Sequence, residues 1–322
     1  MNNNTGLDFK LIADNCCLYS NVDTSIIISK IDELKDTYNE KDLVAIYNYM
    51  LSNTQNPDLI MYLIHCVDVY RDSSSLEVLV DILLLKNGNY QDSTTKEKFV
   101  NVRAMCAKAI ANQKNTDVVS SLLYCLNNKD EHYKVRLACA DALGRIGDRF
   151  AVAPLIDVVK DEDEKSVYLR ESAASALGLL GDARALDPLV SILETKQGIL
   201  DKFTFLKERA IEALIKMGFA DNERVYKALK NSLADESAQV RINAIEALMD
   251  SENPKAYDTI KKCLDEDKDE EVKKNALIAL YNMSDRSILD EVIKSDKYSD
   301  SLKMEAVAIL DEYESDDEGI EE

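Results

Sequence analysis

Residues 135–159 read VRLACADALGRIGDRFAVAPLIDVV, and the rest of the chain can be understood from this stretch. Val135, Cys139, Ala142 and Leu143 stand at offsets zero, four, seven and eight, one side of a helix with about 3.6 residues per turn. Small residues dominate that side, so a neighbouring helix can approach closely. Gly147 suits the left-handed residue that closes a helix, and Asp148 suits the cap that opens the next. A second amphipathic run, AVAPLIDVV from Ala151, follows at once, with Pro154 near its start where a missing amide costs little. The stretch therefore reads as two short helices joined by a tight turn.

Working outward, the same opening recurs as VRAMCAKAIA from Val102, LRESAASALG from Leu169, LKERAIEALI from Leu206, VRINAIEALM from Val240, VKKNALIALY from Val272 and LKMEAVAILD from Leu302. Each has an aliphatic residue, a base, and then small or apolar residues at offsets four, five, seven and eight. Successive starts lie 33, 34, 37, 34, 32 and 30 residues apart over seven copies, the mark of an internal repeat. Second runs follow as well: VVSSLLYCL from Val118, ALDPLVSIL from Ala185, VYKALKNSL from Val225 and AYDTIKKCL from Ala256. A hairpin of two such helices cannot bury its apolar face alone, so the copies must stack. Only 9 Gly and 4 Pro among 322 residues fit a helical chain and leave little material for a turn-rich β architecture.

On these residues the chain resembles the HEAT superfamily, and in particular its short bacterial form named after phycobilin lyases, whose signature VRxxAAxALGxIGDxxAVxPLIxxL is nearly matched by residues 135–159. The resemblance is clear from Val102 to Tyr313. It implies an all-α, right-handed α-α superhelix of about eight to nine helical hairpins, an armadillo-like solenoid. Residues 1–23 read as a capping segment and 24–313 as the solenoid, with atypical repeats over 24–86 and clear ones over 98–313. The polar stretch 86–96 reads as an inserted loop, and KQGILDKFTF at 196–205 as a smaller insertion. The stretch 314–322 reads as a disordered acidic tail, since residues 311–322, DEYESDDEGIEE, carry eight acids and no base.

A formal charge of -21 repels phosphate backbones and anionic membranes, which argues against nucleic acid as a partner. The first twenty residues lack the pattern of a secretion signal, and the most apolar window, Leu76 to Leu85, is interrupted by Glu77 and Asp81 and too short to cross a bilayer. Seven cysteines without paired spacing suit a reducing compartment, so a cytoplasmic protein is expected. Cys16 and Cys17 read as small apolar residues of the N-terminal cap, and His132 as a surface or capping residue rather than a ligand. With two histidines only, no H-E-x-x-H and no C-x-x-C, no metal site and no catalytic centre are expected. Deoxyhypusine hydroxylase, an iron enzyme on the same repeat fold, requires several His-Glu pairs, and none occurs here.

The bases at the second position of each opening, Arg103, Arg136, Arg170, Lys207, Arg241, Lys273 and Lys303, form a ladder. They are expected to reach carboxylates such as Asp148 and Asp182, or helix-end carbonyls, in adjacent turns and so tie repeat to repeat. Acidic runs ahead of the first helices need no ligand, because acids there favour the positive end of the helix dipole.

The resemblance further implies that the second helices line a concave face. Aligned, they put Tyr124, Asp157, Ser191, Asn231 and Lys262 in one column and Ser120, Ala153, Asp187, Lys227 and Asp258 in another. The face turns basic near Lys227, Lys230, Lys261 and Lys262, with Tyr124, Tyr226 and Tyr257 as candidate anchors for an acidic patch of a partner. Tyr226 and Tyr257 also fall in the column of Val152 and Leu186, where a packing role is the alternative. The leading expectation is a non-catalytic scaffold that binds a protein partner and needs no cofactor. The alternative rests on resemblance alone: a subunit of a phycobilin lyase, with bilin as a transient substrate and a second repeat protein or an antenna protein as partner.

Overall fold

The structure, a computed structural model, describes residues 6–86, 93–195, 204–219, 222–251, 253–283 and 286–318. Among these there are helices and turns and no strand. A capping helix α1 (Phe9–Asn15) precedes a hairpin of α2 (Thr24–Glu33) and α3 (Glu40–Asn53). The hairpins that follow are α4 (Pro57–Tyr70) with α5 (Leu76–Leu83), α6 (Ser93–Asn112) with α7 (Val119–Asn127), and α8 (Tyr133–Ile146) with α9 (Val152–Lys160). Then come α10 (Val167–Leu180) with α11 (Leu186–Glu194), α12 (Thr204–Lys216) with α13 (Glu223–Ser232), and α14 (Ala238–Met249) with α15 (Ala256–Glu266). The last pair is α16 (Glu270–Asn282) with α17 (Ser287–Lys294), after which α18 (Asp300–Glu318) stands alone. The described residues thus hold eight hairpins and a final helix, in keeping with the repeat count read from the sequence.

Turns at both ends of the repeats use side-chain caps. Between first and second helix, an Asp or Asn side chain accepts from the amide two residues on: Asp72 from Ser74 at 2.8 Å, Asn115 from Asp117 at 2.7 Å, Asp148 from Phe150 at 2.8 Å and Asn222 from Arg224 at 2.9 Å. These bonds satisfy amides that the helix start leaves without partners. Gly147, at φ +85°, closes α8 with its N–H on the Leu143 carbonyl, a backbone conformation strained for any residue with a Cβ. At the other turn His132 caps α8, its Nδ1 accepting from the Lys134 amide at 3.2 Å.

The helices fall into two compact units, residues 1–176 and 177–322, divided within α10. In the first unit α4, α6 and α8 lie side by side, with α3 against α4, α5 against α6 and α7 against α8. Its core is made of the opening positions, among them Val102, Cys106, Ile110, Val135, Cys139 and Leu143, all fully buried. Burial of each such side chain stabilises by about 1.5–3 kcal/mol. Spacing between first helices is tight: a Cβ added to Gly144 would sit 2.7 Å from Cα and Cβ of Ala176. In the second unit α12, α14, α16 and α18 form the row of first helices, with α13, α15 and α17 each packed on the first helix that follows. Val240, Ala244, Ala247 and Leu248 repeat the same buried set.

Most of the inserted loop of 86–96 and of the insertion at 196–205 lies outside the described residues, and α6 already begins at Ser93 and α12 at Thr204. Helix α18 carries on to Glu318, into the acidic stretch 314–322, whose last four residues also lie outside.

Candidate functional site

The ladder of bases is built as a set of ties, with a correction to its acceptors. Arg136 on α8 donates Nε to the Leu126 carbonyl at 2.9 Å, at the end of the preceding second helix, and a terminal nitrogen to Glu164 at 2.6 Å, in the turn after its own repeat. Arg103 does the same with Leu83 at 2.6 Å and with both oxygens of Glu131 at 2.9 and 2.5 Å. Arg170 reaches the Val159 carbonyl at 3.0 Å. In the second unit Lys207 meets Asp235 at 2.5 Å, and Arg241 holds both Asp267 oxygens at 2.8 and 3.1 Å while bonding the Asp235 carbonyl. Arg103, Arg136 and Arg241 thus pin the turn before their repeat to the turn after it, whereas Lys273 pairs only with Glu270 on its own helix at 3.6 Å.

The carboxylates in these ties are Glu131, Glu164, Asp235 and Asp267; Glu164 and Asp267 lie in the acidic runs 161–164 and 265–271 that the sequence leaves to the helix dipole. Asp148 and Asp182 serve the opposite end of the hairpin, where Asp148 caps its turn and Asp182 accepts from the Arg184 backbone at 3.0 Å and from its guanidinium at 2.9 Å. The reason is length. About ten residues of helix separate Arg136 from Asp148, roughly 15 Å at 1.5 Å per residue. The signal that finds the true acids is a carboxylate 28, 28, 28 and 26 residues after Arg103, Arg136, Lys207 and Arg241. A second polar string was also missed: Asn112 on α6 donates to both oxygens of Asp68 on α4, at 2.6 and 2.9 Å, and accepts from Arg145 on α8.

The candidate surface is formed by the second helices, and each unit presents its own portion. In the first unit Tyr124 on α7 is 69% exposed and Asp157 is exposed on α9, which packs beside α7. In the second unit Asp187, Ser191, Lys227, Lys230, Asn231 and Lys262 are exposed and Tyr257 is half-buried. Asp187 pairs with Arg224, Lys227 lies 3.6 Å from Glu223, and Lys262 lies 3.7 Å from Glu266. Exposed pairs of this kind contribute about 0–1 kcal/mol each, so their members can exchange partners at little cost.

Two candidate residues leave this surface. Tyr226 is 3% exposed, and its hydroxyl shares a 2.8 Å hydrogen bond with Thr259 Oγ1 and reaches the Lys255 carbonyl. It is a packing residue between α13 and α15, because its column faces inward as that of Val152 does. Lys261 is half-buried and bonds Glu291 at 2.7 Å and the Tyr298 hydroxyl at 3.2 Å, with its ammonium 5.7 Å from the Tyr298 ring centre. The same hydroxyl donates to Asp265 at 2.7 Å, and Lys297 closes the cluster on Asp265 at 2.8 Å. Burial works to raise the Asp265 pKa, but the hydrogen bonds from Lys297 and Tyr298 outweigh it and hold the carboxyl below its ordinary value.

The thiols are packing groups in most cases. Burial pushes Cys16, Cys66 and Cys106 up from the ordinary thiol range and Cys263 to about 12. Cys17 differs from the expectation: it is half-buried in a left-handed backbone conformation at φ 62°, and its Sγ accepts from Lys30 at 3.0 Å. Among the described residues no group of three or more His, Cys, Asp or Glu is placed to hold a metal ion, and no helix is long and apolar enough to cross a membrane.

The model of HEAT repeats matches residues 92–167, 129–202 and 201–281, which together cover more than half of the chain. The chain belongs to the HEAT-repeat family. Comparison with curated proteins finds no match. Among solved structures the chain is similar to the complex of CpcE and CpcF of phycocyanin lyase from Nostoc sp. PCC7120, at 22% identity over 74% of this chain and 87% of that one, with a TM-score of 0.42. It is also similar to human deoxyhypusine hydroxylase in complex with glycerol, at 17% identity over 86% of this chain and 96% of that one, with a TM-score of 0.35. Neither likeness is close enough to bear on activity.

Proposed function

We propose that this HEAT-repeat chain is a scaffold whose second-helix surface holds a protein partner through an acidic segment of that partner. The observation that carries the reading is the run of exposed bases on α13 (Lys227, Lys230), at the cap before α15 (Lys255) and on α15 (Lys262), in a chain of net charge -21. Solubility does not require a basic face on so acidic a chain. Among the described residues Lys230 has no carboxylate within ion-pair distance, and those near Lys227, Lys255 and Lys262 stand at 3.6 to 3.9 Å. Such a face raises the association rate of an acidic partner and fixes its register. In the first unit the exposed ring of Tyr124 is of the type that anchors interfaces.

The test is site-directed photocrosslinking in native lysate, with the reactive side chain at position 230 and, as a control, at Lys108 on a first helix. A partner joined only from position 230, and lost when Lys227 and Lys262 are both changed to Glu, is the expected result. Equal labelling from both positions, or none from position 230, would overturn the reading.

A further inference from the structure

Helix α18 differs from the first helices before it in what covers it. In the second unit the fifth offset of each opening, Ile211, Ile245 and Leu277, is buried beneath the next repeat. Val307 occupies that offset on α18 and is 41% exposed, and Met304 beside it is 73% exposed. At the sixth offset, where α12 and α14 place Glu212 and Glu246, α16 and α18 place exposed Ile278 and Ala308. Exposed apolar surface therefore collects at this end of the unit. The ladder also thins out here: Lys207 and Arg241 have Asp235 and Asp267, Lys273 has only Glu270 on its own helix, and Lys303 meets no carboxylate among the described residues.

We propose that α18 is a dimerisation helix that packs antiparallel against α18 of a second copy, with the two-fold axis at Val307. The stripe itself selects this occupant. Lys303, Val307 and Asp311 follow one another at four-residue steps along one side of the helix, with Met304 and Ala308 adjoining. An antiparallel pair centred on Val307 sets Lys303 opposite Asp311 of the second copy, twice by symmetry, and brings Met304 and Val307 of both copies out of water. Ala308 leaves room for the close approach. A parallel pair would set like charge against like. Neither Lys303 nor Asp311 has an ion-pair partner within the described residues, so the pairing breaks no existing bond of theirs.

Sedimentation velocity of the full chain over the micromolar range tests this. The expected result is a mass that rises with concentration from 36.2 kDa to about twice that value. Val307→Glu and Met304→Glu, each burying a charge without a partner, raise the dimer Kd by about tenfold or more. Lys303→Glu and Asp311→Lys each weaken the dimer, and the double variant restores it. All four side chains are exposed or half-exposed, and far-ultraviolet circular dichroism checks that the helices persist. A mass of 36.2 kDa at every concentration overturns the proposal. So does a dimer indifferent to Val307→Glu, or a charge-swapped double variant no tighter than its single parents.

Discussion

Arg136 and Glu164 lie 28 residues apart in sequence and 2.6 Å apart in space, with side chains only 6% and 9% exposed. A tie so sheltered from water contributes little net stability while both partners are present, because desolvation offsets most of the attraction. Loss of one partner is another matter. Arg136→Ala leaves the Glu164 charge buried and the Leu126 carbonyl without its donor, and should cost about 3–5 kcal/mol. The urea midpoint measures this. Changing both residues together, to Met and Leu, should recover most of the loss, and a double variant as unstable as Arg136→Ala would show that the tie does more than neutralise a charge.

The row of first helices predicts a steric effect. Gly144→Ala places a methyl group 2.7 Å from Ala176 and should lower stability by about 1–3 kcal/mol through forced separation of α8 and α10. Ala176→Gly in the same chain should return part of that loss. Thermal melting followed by circular dichroism decides it, and an unchanged midpoint for Gly144→Ala would mean that the helices can part freely.

Tyr226 and Tyr124 should behave as opposites. Tyr226→Ala empties a buried site and should cost about 3–5 kcal/mol, and Tyr226→Phe should cost about 0.5–1.5 kcal/mol for the hydrogen bond to Thr259. Tyr124→Ala should change stability by less than about 0.5 kcal/mol and weaken partner capture instead. Chemical denaturation of the three variants, beside crosslinking yield, separates the roles.

The Tyr298 cluster predicts a pH dependence. The Asp265 carboxyl has a folded pKa held below the ordinary value of about 3.9. A group with a depressed folded value adds stability that is fully present above the unfolded value and is lost as pH falls through the folded one. The melting temperature of the parent should therefore exceed that of Asp265→Asn near neutral pH, and the gap should close as pH drops below about 4. A gap that stays constant from pH 7 to pH 3 would exclude the ionised carboxyl as its source.

Repeat period, helix faces and turn caps were legible because each is a local matter of spacing and side-chain type. Asp148 could be recognised as a cap from the Gly before it, and the buried set Val135, Cys139, Ala142 and Leu143 from its offsets alone. The ladder was legible as a pattern and its helix-end carbonyl acceptors were read correctly, but its carboxylates were misread, since Arg136 was paired with the Gly-Asp turn although the helix between them carries the two ends apart. Tyr226 shows a different gap. A tyrosine in a half-apolar column has the same periodicity whether it points at solvent or at Thr259 on the next second helix, and only the packing of α13 on α15 decides. Lys261 was misplaced for a similar reason, because Tyr298 and Glu291, which hold it, come from later turns that no spacing rule connects to it.

The polar ties also say something about how such a chain can change size. Arg103, Arg136 and Arg241 reach back to the turn before their repeat and forward to the turn after it, so each of these ties closes within about one repeat length. Copies can be added or removed in whole units, and the grip between neighbours re-forms at the new junction with the same chemistry. A gain or loss of part of a unit, by contrast, would shift an arginine away from its carboxylate and leave both charges in the dry space between helices. The spacing of these ties thus acts as a ruler that lets the chain grow in whole repeats and penalises fractions.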